Sequence, residues 1–284
     1  MSLQRSCPFL GVLDSDSIRV EWEGQPRPVR LMDVNPERAA PAGAKSATEF
    51  GRRTLRWARE TYFEDVGEVL LHFSLDKVML SNSGKLLCYV FVRGENYNVR
   101  LVREGWSPCF EKYGYPLIHR AEMERAEFWA RLEGRGIWGG LGGRGDYRVL
   151  KSHWQRRAGL VDCHRLASTM GEDIFSCRLH YDEIVGRARA GASATVFAEL
   201  TRSFHLSDGA VLIQLGNPFQ PCTAYFPPET RDLAGFIERE FLGFGNANYA
   251  YLTGHLALAE GRPQIVIDVP DQITTYPPCA HVIA

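Results

Sequence analysis

The sequence predicts a mainly β, α+β chain built as two small five-stranded barrels with flanking helices. Three observations predict it. Short apolar-alternating segments bounded by turn residues occur in two blocks. Each block is interrupted by one helical stretch. Between the blocks runs Gly139-Gly140-Leu141-Gly142-Gly143-Arg144-Gly145, the best candidate for a domain joint. The expected division is therefore 1–145 for the first domain, 146–180 for a partly helical linker and 181–284 for the second domain.

In the first block Ile18, Val20 and Trp22 alternate with Arg19, Glu21 and Glu23, the period of a half-buried strand. Gly24-Gln25-Pro26 turns the chain into a second strand, Val29 to Val34. Ser46 to Thr61 has helical spacing through Phe50, Leu55 and Ala58, with charges on the other face. Strands follow at Val69 to Phe73 and Leu86 to Val92. A helix is expected from Leu117 to Leu132, where Gly134 stops it.

The second block begins near Ala194. Strands are expected at Thr195 to Phe204, Ala210 to Leu215, Cys222 to Phe226, Tyr249 to Ala259 and Ile265 to Val269. Ser207-Asp208-Gly209 and Glu260-Gly261-Arg262-Pro263 supply turns. A helix, Asp232 to Phe241, falls between the third and fourth strands, which is the element order of an OB barrel.

Composition narrows the function classes. In 284 residues, 45% apolar and 24% charged describe a folded globular protein rather than a disordered one. A formal net charge of −1 supplies no global positive field for a polyanion, and leaves a local basic site open. The only lysines are Lys45, Lys77, Lys85, Lys112 and Lys151, so positive charge is nearly all arginine. That bias suits bidentate phosphate contacts and is equally what GC-rich coding produces. No apolar run approaches the ~18 residues of a membrane span. Met1 to Gly11 lacks the pattern of a signal peptide, so a cytoplasmic location is expected, or a secreted one if the N-terminus has been trimmed. The seven cysteines are odd in number, scattered and without a Cys-x-x-C pair, as expected of reduced thiols.

Chemistry concentrates in a few stretches. The glycine-rich joint follows no strand of a βαβ unit and lacks a Gly-Lys-Ser/Thr ending, so it is not a phosphate loop. Cys163-His164 with Cys177 and His180 has poor spacing for zinc, and buried thiols with surface histidines are the simpler reading. Asp14-Ser15-Asp16-Ser17, followed by Val29-Arg30-Leu31-Met32-Asp33-Val34-Asn35-Pro36-Glu37, offers hard oxygen ligands, a base and a planar guanidinium. Phosphodiester hydrolysis needs such groups; paired acids beside an arginine also form ordinary solvated networks.

The Asp-x-Asp-Ser opening, the Arg-Leu strand running into a Pro-Glu turn, and Ser83-Gly84-Lys85-Leu86-Leu87-Cys88-Tyr89-Val90-Phe91-Val92 resemble the signatures of the staphylococcal nuclease family. Asn98-Val99-Arg100-Leu101-Val102-Arg103-Glu104-Gly105-Trp106 and Gly136-Ile137-Trp138-Gly139 resemble its later helix and closing turn, in family order over about half the chain. The resemblance implies Asp16 as a calcium ligand, Arg30 as a phosphate clamp and Glu37 as the group that orients or activates water. Asn35 stands where the family has a second metal-binding aspartate, in a turn one residue shorter, and Lys85 stands where it has a second arginine. Asn35 brings no charge, so Ca²⁺ affinity should be weak; Lys85 keeps the charge and loses the fork.

Phe110, Lys112, Tyr113 and Tyr115 lie where relatives place nucleotide-contacting side chains, and stacking on such rings is a general mode for single strands; they could equally pack a helix on the barrel. In the second block, Gly209 to Gly216 and Gly261-Arg262-Pro263-Gln264-Ile265-Val266 resemble strands of bacterial nucleic-acid-type OB domains. That likeness implies a binding surface including His205, Tyr225, Arg262 and Gln264, for nucleic acid or for a protein partner. The expected function is Ca²⁺-dependent hydrolysis of single-stranded DNA or RNA by a partly degenerate nuclease site. Its rival is a catalytically inactive, nuclease-derived binding or scaffold protein.

Overall fold

The computed structural model describes residues 2–41, 46–81, 83–143, 145–169, 174–216, 220–242 and 248–278. Lys45, Arg144 of the glycine-rich joint and Cys279 lie outside the described residues. The chain divides into two compact units: Met1–Glu111 with Pro116–Ser152, and Lys112–Tyr115 with His153–Ala284.

The first unit is a closed barrel of β1 (Gln4–Asp14), β2 (Ser17–Trp22), β3 (Gln25–Leu31), β4 (Glu68–His72) and β5 (Leu86–Val92). Antiparallel pairs β1–β2, β2–β3, β1–β4 and β4–β5 leave two free edges, and the parallel pair β3–β5 joins them. In β2 the expected alternation holds: Ile18, Val20 and Trp22 are buried while Arg19 and Glu21 are exposed. The hairpin turns at Glu23 and Gly24, both with positive φ (55° and 74°), matching the right-handed twist of the strands. The strand expected over Val29 to Val34 instead ends at Leu31, because Asp33 adopts φ 54° and cannot continue an extended backbone.

Helix α1 (Glu49–Trp57) follows β3, and Thr48 caps it by accepting the Gly51 amide at 2.9 Å. After the short β6 (Glu95–Asn96) come α2 (Tyr97–Arg103) and α3 (Arg120–Leu132). The last starts at Arg120 rather than Leu117, since His119 before it is left-handed at φ 60°. Segment 146–180 holds α4 (Tyr147–Thr169) and β7 (Ile174–Ser176).

The second unit repeats the same winding. After α5 (Tyr181–Arg189), its barrel comprises β8 (Ser193–His205), β9 (Val211–Leu215), β10 (Cys222–Phe226), β11 (Tyr249–Ala259) and β12 (Arg262–Val266), with α6 (Arg231–Phe241) between the third and fourth strands. A parallel pair β10–β12 and antiparallel β11–β8 close it, and β13 (Ile273–Thr274) pairs with β11. The long first strand bends at an irregularity between Leu200 and Arg202, so its two halves serve different neighbours. The last barrel strand was expected at Ile265 to Val269 and lies at Arg262–Val266. Turn residues Glu260 and Gly261 (φ 51° and 76°) start it early, and Gln272 Oε1 stops it by accepting the amides of Asp268 and Val269.

Each barrel buries its own apolar core: Ile18, Val20, Val29, Leu31, Leu71 and Leu86 in the first, and Val196, Leu200, Ile213, Leu215, Leu252 and Ile265 in the second. Among the described residues no helix is long and apolar enough to cross a membrane.

Candidate nucleic-acid site

In the first barrel the β1–β2 turn is polar and buried: Asp14, Ser15, Asp16 and Ser17 are all inside. Burying such groups is tolerable only with partners. Asp14 Oδ1 accepts the amides of Ser15 (2.7 Å) and Ala39 (3.1 Å). Ser15 Oγ donates to the Glu37 carbonyl at 2.5 Å, tying this turn to the segment after β3. Asp16 Oδ2 is ion-paired with Arg30 and lies 3.3 Å from Nη1 of Arg38. The other Arg38 nitrogen, Nη2, reaches Asp14 Oδ2 at 2.5 Å. Asp16 Oδ1 is buried and accepts no hydrogen bond.

Lys85, at the entry to β5, belongs to the same cluster electrostatically. Its ammonium is pushed below the usual lysine value first by burial and then by positive Arg30 and Arg38, while Asp14 pulls the other way. The structure thus brings Asp16, Arg30 and Lys85 together, with Arg38 and Asp14 added.

Asn35 and Glu37 are nearby in sequence and differently engaged. The Asn35 amide donates to Ser107 Oγ at 2.8 Å, and the residue is buried. Glu37 is 0% exposed. Its Oε1 accepts two hydrogen bonds of 2.7 Å, from the Gly143 amide and the Tyr147 hydroxyl, and its Oε2 accepts none. The glycine segment lies flat on the carboxylate. A Cβ on Gly142 would sit 3.1 Å from Glu37 Oε1 and 2.9 Å from the Tyr147 ring, and one on Gly143 would sit 3.3 Å from Oε2. Glycine is what permits this approach. Tyr147 packs with Phe50 and Ile137 as it opens α4.

Ca²⁺ takes six to eight oxygens, with carboxylates foremost. Here Asp16 is already neutralised by two guanidiniums, Asn35 is uncharged and Glu37 faces Gly143 and Tyr147. Among the described residues no three Asp, Glu, His or Cys side chains converge to hold an ion. As arranged, this donor set does not fit Ca²⁺.

Of the four candidate nucleotide contacts, Phe110 donates its amide to the Asp33 carbonyl in the first unit. Lys112, Tyr113 and Tyr115 belong to the second unit. There Lys112 pairs with Glu199 at 3.0 Å, and the Tyr113 ring lies between Lys112 and Arg178, 4.9 Å and 5.0 Å from its centroid. The Tyr115 carbonyl accepts from Arg165.

On the second barrel, Tyr225 and Gln264 occupy half-buried alternate positions of β10 and β12. Thr223 pairs with Gln264 and Tyr225 with Val266 across the strands. Leu212 stands opposite both Tyr225 and Phe204, so Phe204, Leu212, Tyr225 and Val266 form one row. Arg202, Gln214, Thr223 and Gln264 form the next. Arg262 is exposed at the start of β12, and His205 is exposed and contacts Glu238 at 2.9 Å.

The zinc candidates do not assemble. His164 is stacked on Phe197 with its pKa pushed down to about 4, chiefly by burial. Cys163 is exposed, whereas Cys177 is buried beside Cys222.

Residues 28–140 match the family model described as staphylococcal nuclease homologue. That stretch is a staphylococcal-nuclease-like domain. This supports a nuclease-like or nucleic-acid-binding function, in a family that is generally Ca²⁺-dependent. The matched stretch includes Arg30, Asn35, Glu37 and Lys85 of the nuclease-family domain, while Asp16 precedes it and Gly142, Gly143 and Tyr147 follow it. Sequence reasoning missed Arg38, Gly143 and Tyr147; the only local signal was an arginine directly after Glu37 and glycines before a helix.

Proposed function

We propose that this chain is a nuclease-derived nucleic-acid-binding protein whose hydrolytic site is shut. The sealing of Glu37 carries the reading. A carboxylate with no exposure, held by the Gly143 amide and the Tyr147 hydroxyl, has no access to an attacking water, and general-base catalysis requires direct reach to the proton removed. The cations clustered at the β1–β2 turn, Arg30 and Lys85, retain the chemistry of phosphate binding. The outward rows of β8, β9, β10 and β12 place one aromatic row beside one polar row, a surface suited to stacking and bonding an extended single strand.

The test is fluorescence anisotropy of labelled single-stranded DNA and RNA on the full chain, run beside cleavage of the same strands with Ca²⁺ and with chelator. Salt-dependent binding without cleavage is expected. Calcium-dependent cleavage that disappears in Glu37→Gln would instead establish a slow phosphodiesterase, the reading favoured by the retained Asp16, Arg30 and Glu37.

A further inference from the structure

We infer that Arg38 is a built-in cation in place of a divalent metal ion, so that phosphate binding at Arg30 and Lys85 does not depend on metal. The inference rests on the reading of this face as a phosphate-binding surface. Asp14 and Asp16 are 6% and 1% exposed. Two carboxylates that close in a poorly hydrated turn repel each other and demand a counter-cation between them. In a metal site a hard ion meets that demand. Here one guanidinium does, with Nη2 at 2.5 Å from Asp14 Oδ2 and Nη1 at 3.3 Å from Asp16 Oδ2. A planar fork can serve two acceptors at once, which an ammonium cannot do as well.

Arg38 is also held for this task. Its carbonyl accepts the Thr48 amide at 3.0 Å, its Nε donates to the Ala40 carbonyl at 3.3 Å, and α1 packs directly on its backbone. A Cβ on Gly51 would fall 2.1 Å from the Arg38 oxygen, so only glycine lets the helix come this close. Within the turn Asp14 and Asp16 offset Arg30 and Arg38, and Lys85 adds a third cation in the field of both arginines. An added Ca²⁺ would enter a pocket holding three cations, where Asp16 Oδ1 is the one carboxylate oxygen of the aspartate pair that accepts no hydrogen bond or ion pair. A phosphate group meets the opposite field.

Two titrations of the full chain decide it: calorimetry with CaCl₂, and anisotropy of a single-stranded DNA with Ca²⁺ or with chelator, using inorganic phosphate as competitor. The wild type should give no Ca²⁺ heat, and its strand affinity should differ by less than about twofold between the two conditions. Arg38→Gln, checked as folded by thermal melting, should gain Ca²⁺ binding and a strand affinity about tenfold tighter with Ca²⁺ than with chelator. Ca²⁺ binding by the wild type, with strand binding tightened about tenfold, overturns the inference. So does a folded Arg38→Gln as indifferent to Ca²⁺ as the wild type. Should that variant not fold, the wild-type titrations decide alone. A wild type that binds no strand yet ignores Ca²⁺ overturns the proposed binding function and leaves the role of Arg38 standing.

Discussion

The two barrels have the same strand winding and the same position for the intervening helix, and each holds one carboxylate between two cations. In the first, Asp16 lies between Arg30 and Arg38; in the second, Glu199 lies between Lys112 and Arg157. Their placement differs. Asp16 is in the buried turn joining the first two strands, whereas Glu199 points outward from β8 toward the Arg157 stretch of α4. Asp16 keeps an oxygen without a hydrogen bond, and its neighbour Asp14 has a third cation, Lys85, within its field. Glu199 anchors two neighbours of its own unit. A shared fold and a shared charge motif therefore yield a site in one barrel and a structural anchor in the other, because only the first leaves a carboxylate oxygen of its cluster buried without a hydrogen bond.

The largest expected effect separates the two. Asp16→Asn keeps the shape and leaves two poorly exposed guanidiniums without their shared counter-charge, which should cost about 3–5 kcal/mol in urea unfolding. The same variant should raise the affinity of the first unit for inorganic phosphate, since a competing anion is gone. Equal stability with unchanged phosphate affinity would mean that Asp16 neither holds the two guanidiniums in place nor competes for their charge.

Glu199→Gln should cost less, about 2 kcal/mol, and leave phosphate affinity untouched. It also carries a pH signature. Burial alone would raise the Glu199 pKa, but Lys112 and then Arg157 hold it below the ordinary value of 4.5. A carboxylate depressed in the folded state contributes stability above its unfolded pKa and loses it as pH falls through the folded one. Wild-type stability should therefore drop on acidification below about pH 4.5 by an increment that Glu199→Gln lacks. Parallel acid profiles for the two proteins would remove Glu199 as an anchor.

Smaller again is Tyr225→Ala, which takes the ring out of the outward row of the second barrel. Loss of one stacking partner should weaken single-strand binding by about 1–2 kcal/mol, roughly tenfold, without changing unfolding by urea as much as a core truncation would. An unaltered anisotropy curve would assign strand binding to the first barrel alone.

How far the sequence revealed these features follows from range and pattern. Both barrels were legible because strand alternation is local: Ile18, Val20 and Trp22 in one, Val211, Ile213 and Leu215 in the other. Arg30 and Lys85 were legible through motif order. The role of Arg38 was not, since its partner Asp16 lies 22 positions earlier, nor was the seal, whose members are 106 and 110 positions from Glu37. Helix α4 was legible only as a partly helical linker, without its extent. Its buried positions include Lys151, Arg157 and His164 beside Trp154, Ala158 and Val161, so hydrophobicity alone does not mark the stripe. Lys151 is accommodated by Glu111 and Glu127 at 2.9 Å and 3.0 Å, a pairing that no local window displays.

The smallest expected effect probes the seal itself. Tyr147→Phe removes only the hydroxyl that donates to Glu37 at 2.7 Å and keeps the ring against Phe50 and Ile137. A hydrogen bond to a charged acceptor is worth about 1.5 kcal/mol, against about 1 kcal/mol for one to a neutral carbonyl. Tyr181→Phe in the second unit supplies that neutral reference, because the Tyr181 hydroxyl donates to the Pro221 carbonyl at 3.2 Å. The difference between the two variants therefore reads the charge on Glu37, with the phenol-to-phenyl exchange common to both. Once the hydroxyl is gone, the Gly143 amide alone holds Oε1, and the glycine segment should open more often. Hydrogen exchange at Gly143 should then quicken in Tyr147→Phe by about tenfold, the equivalent of the lost free energy. Exchange at the barrel amides of β2 should stay as it was. An unchanged Gly143 rate, with the stability loss equal to that of Tyr181→Phe, would show that Tyr147 packs beside Glu37 without closing it, and the glycines alone would have to account for the shut site.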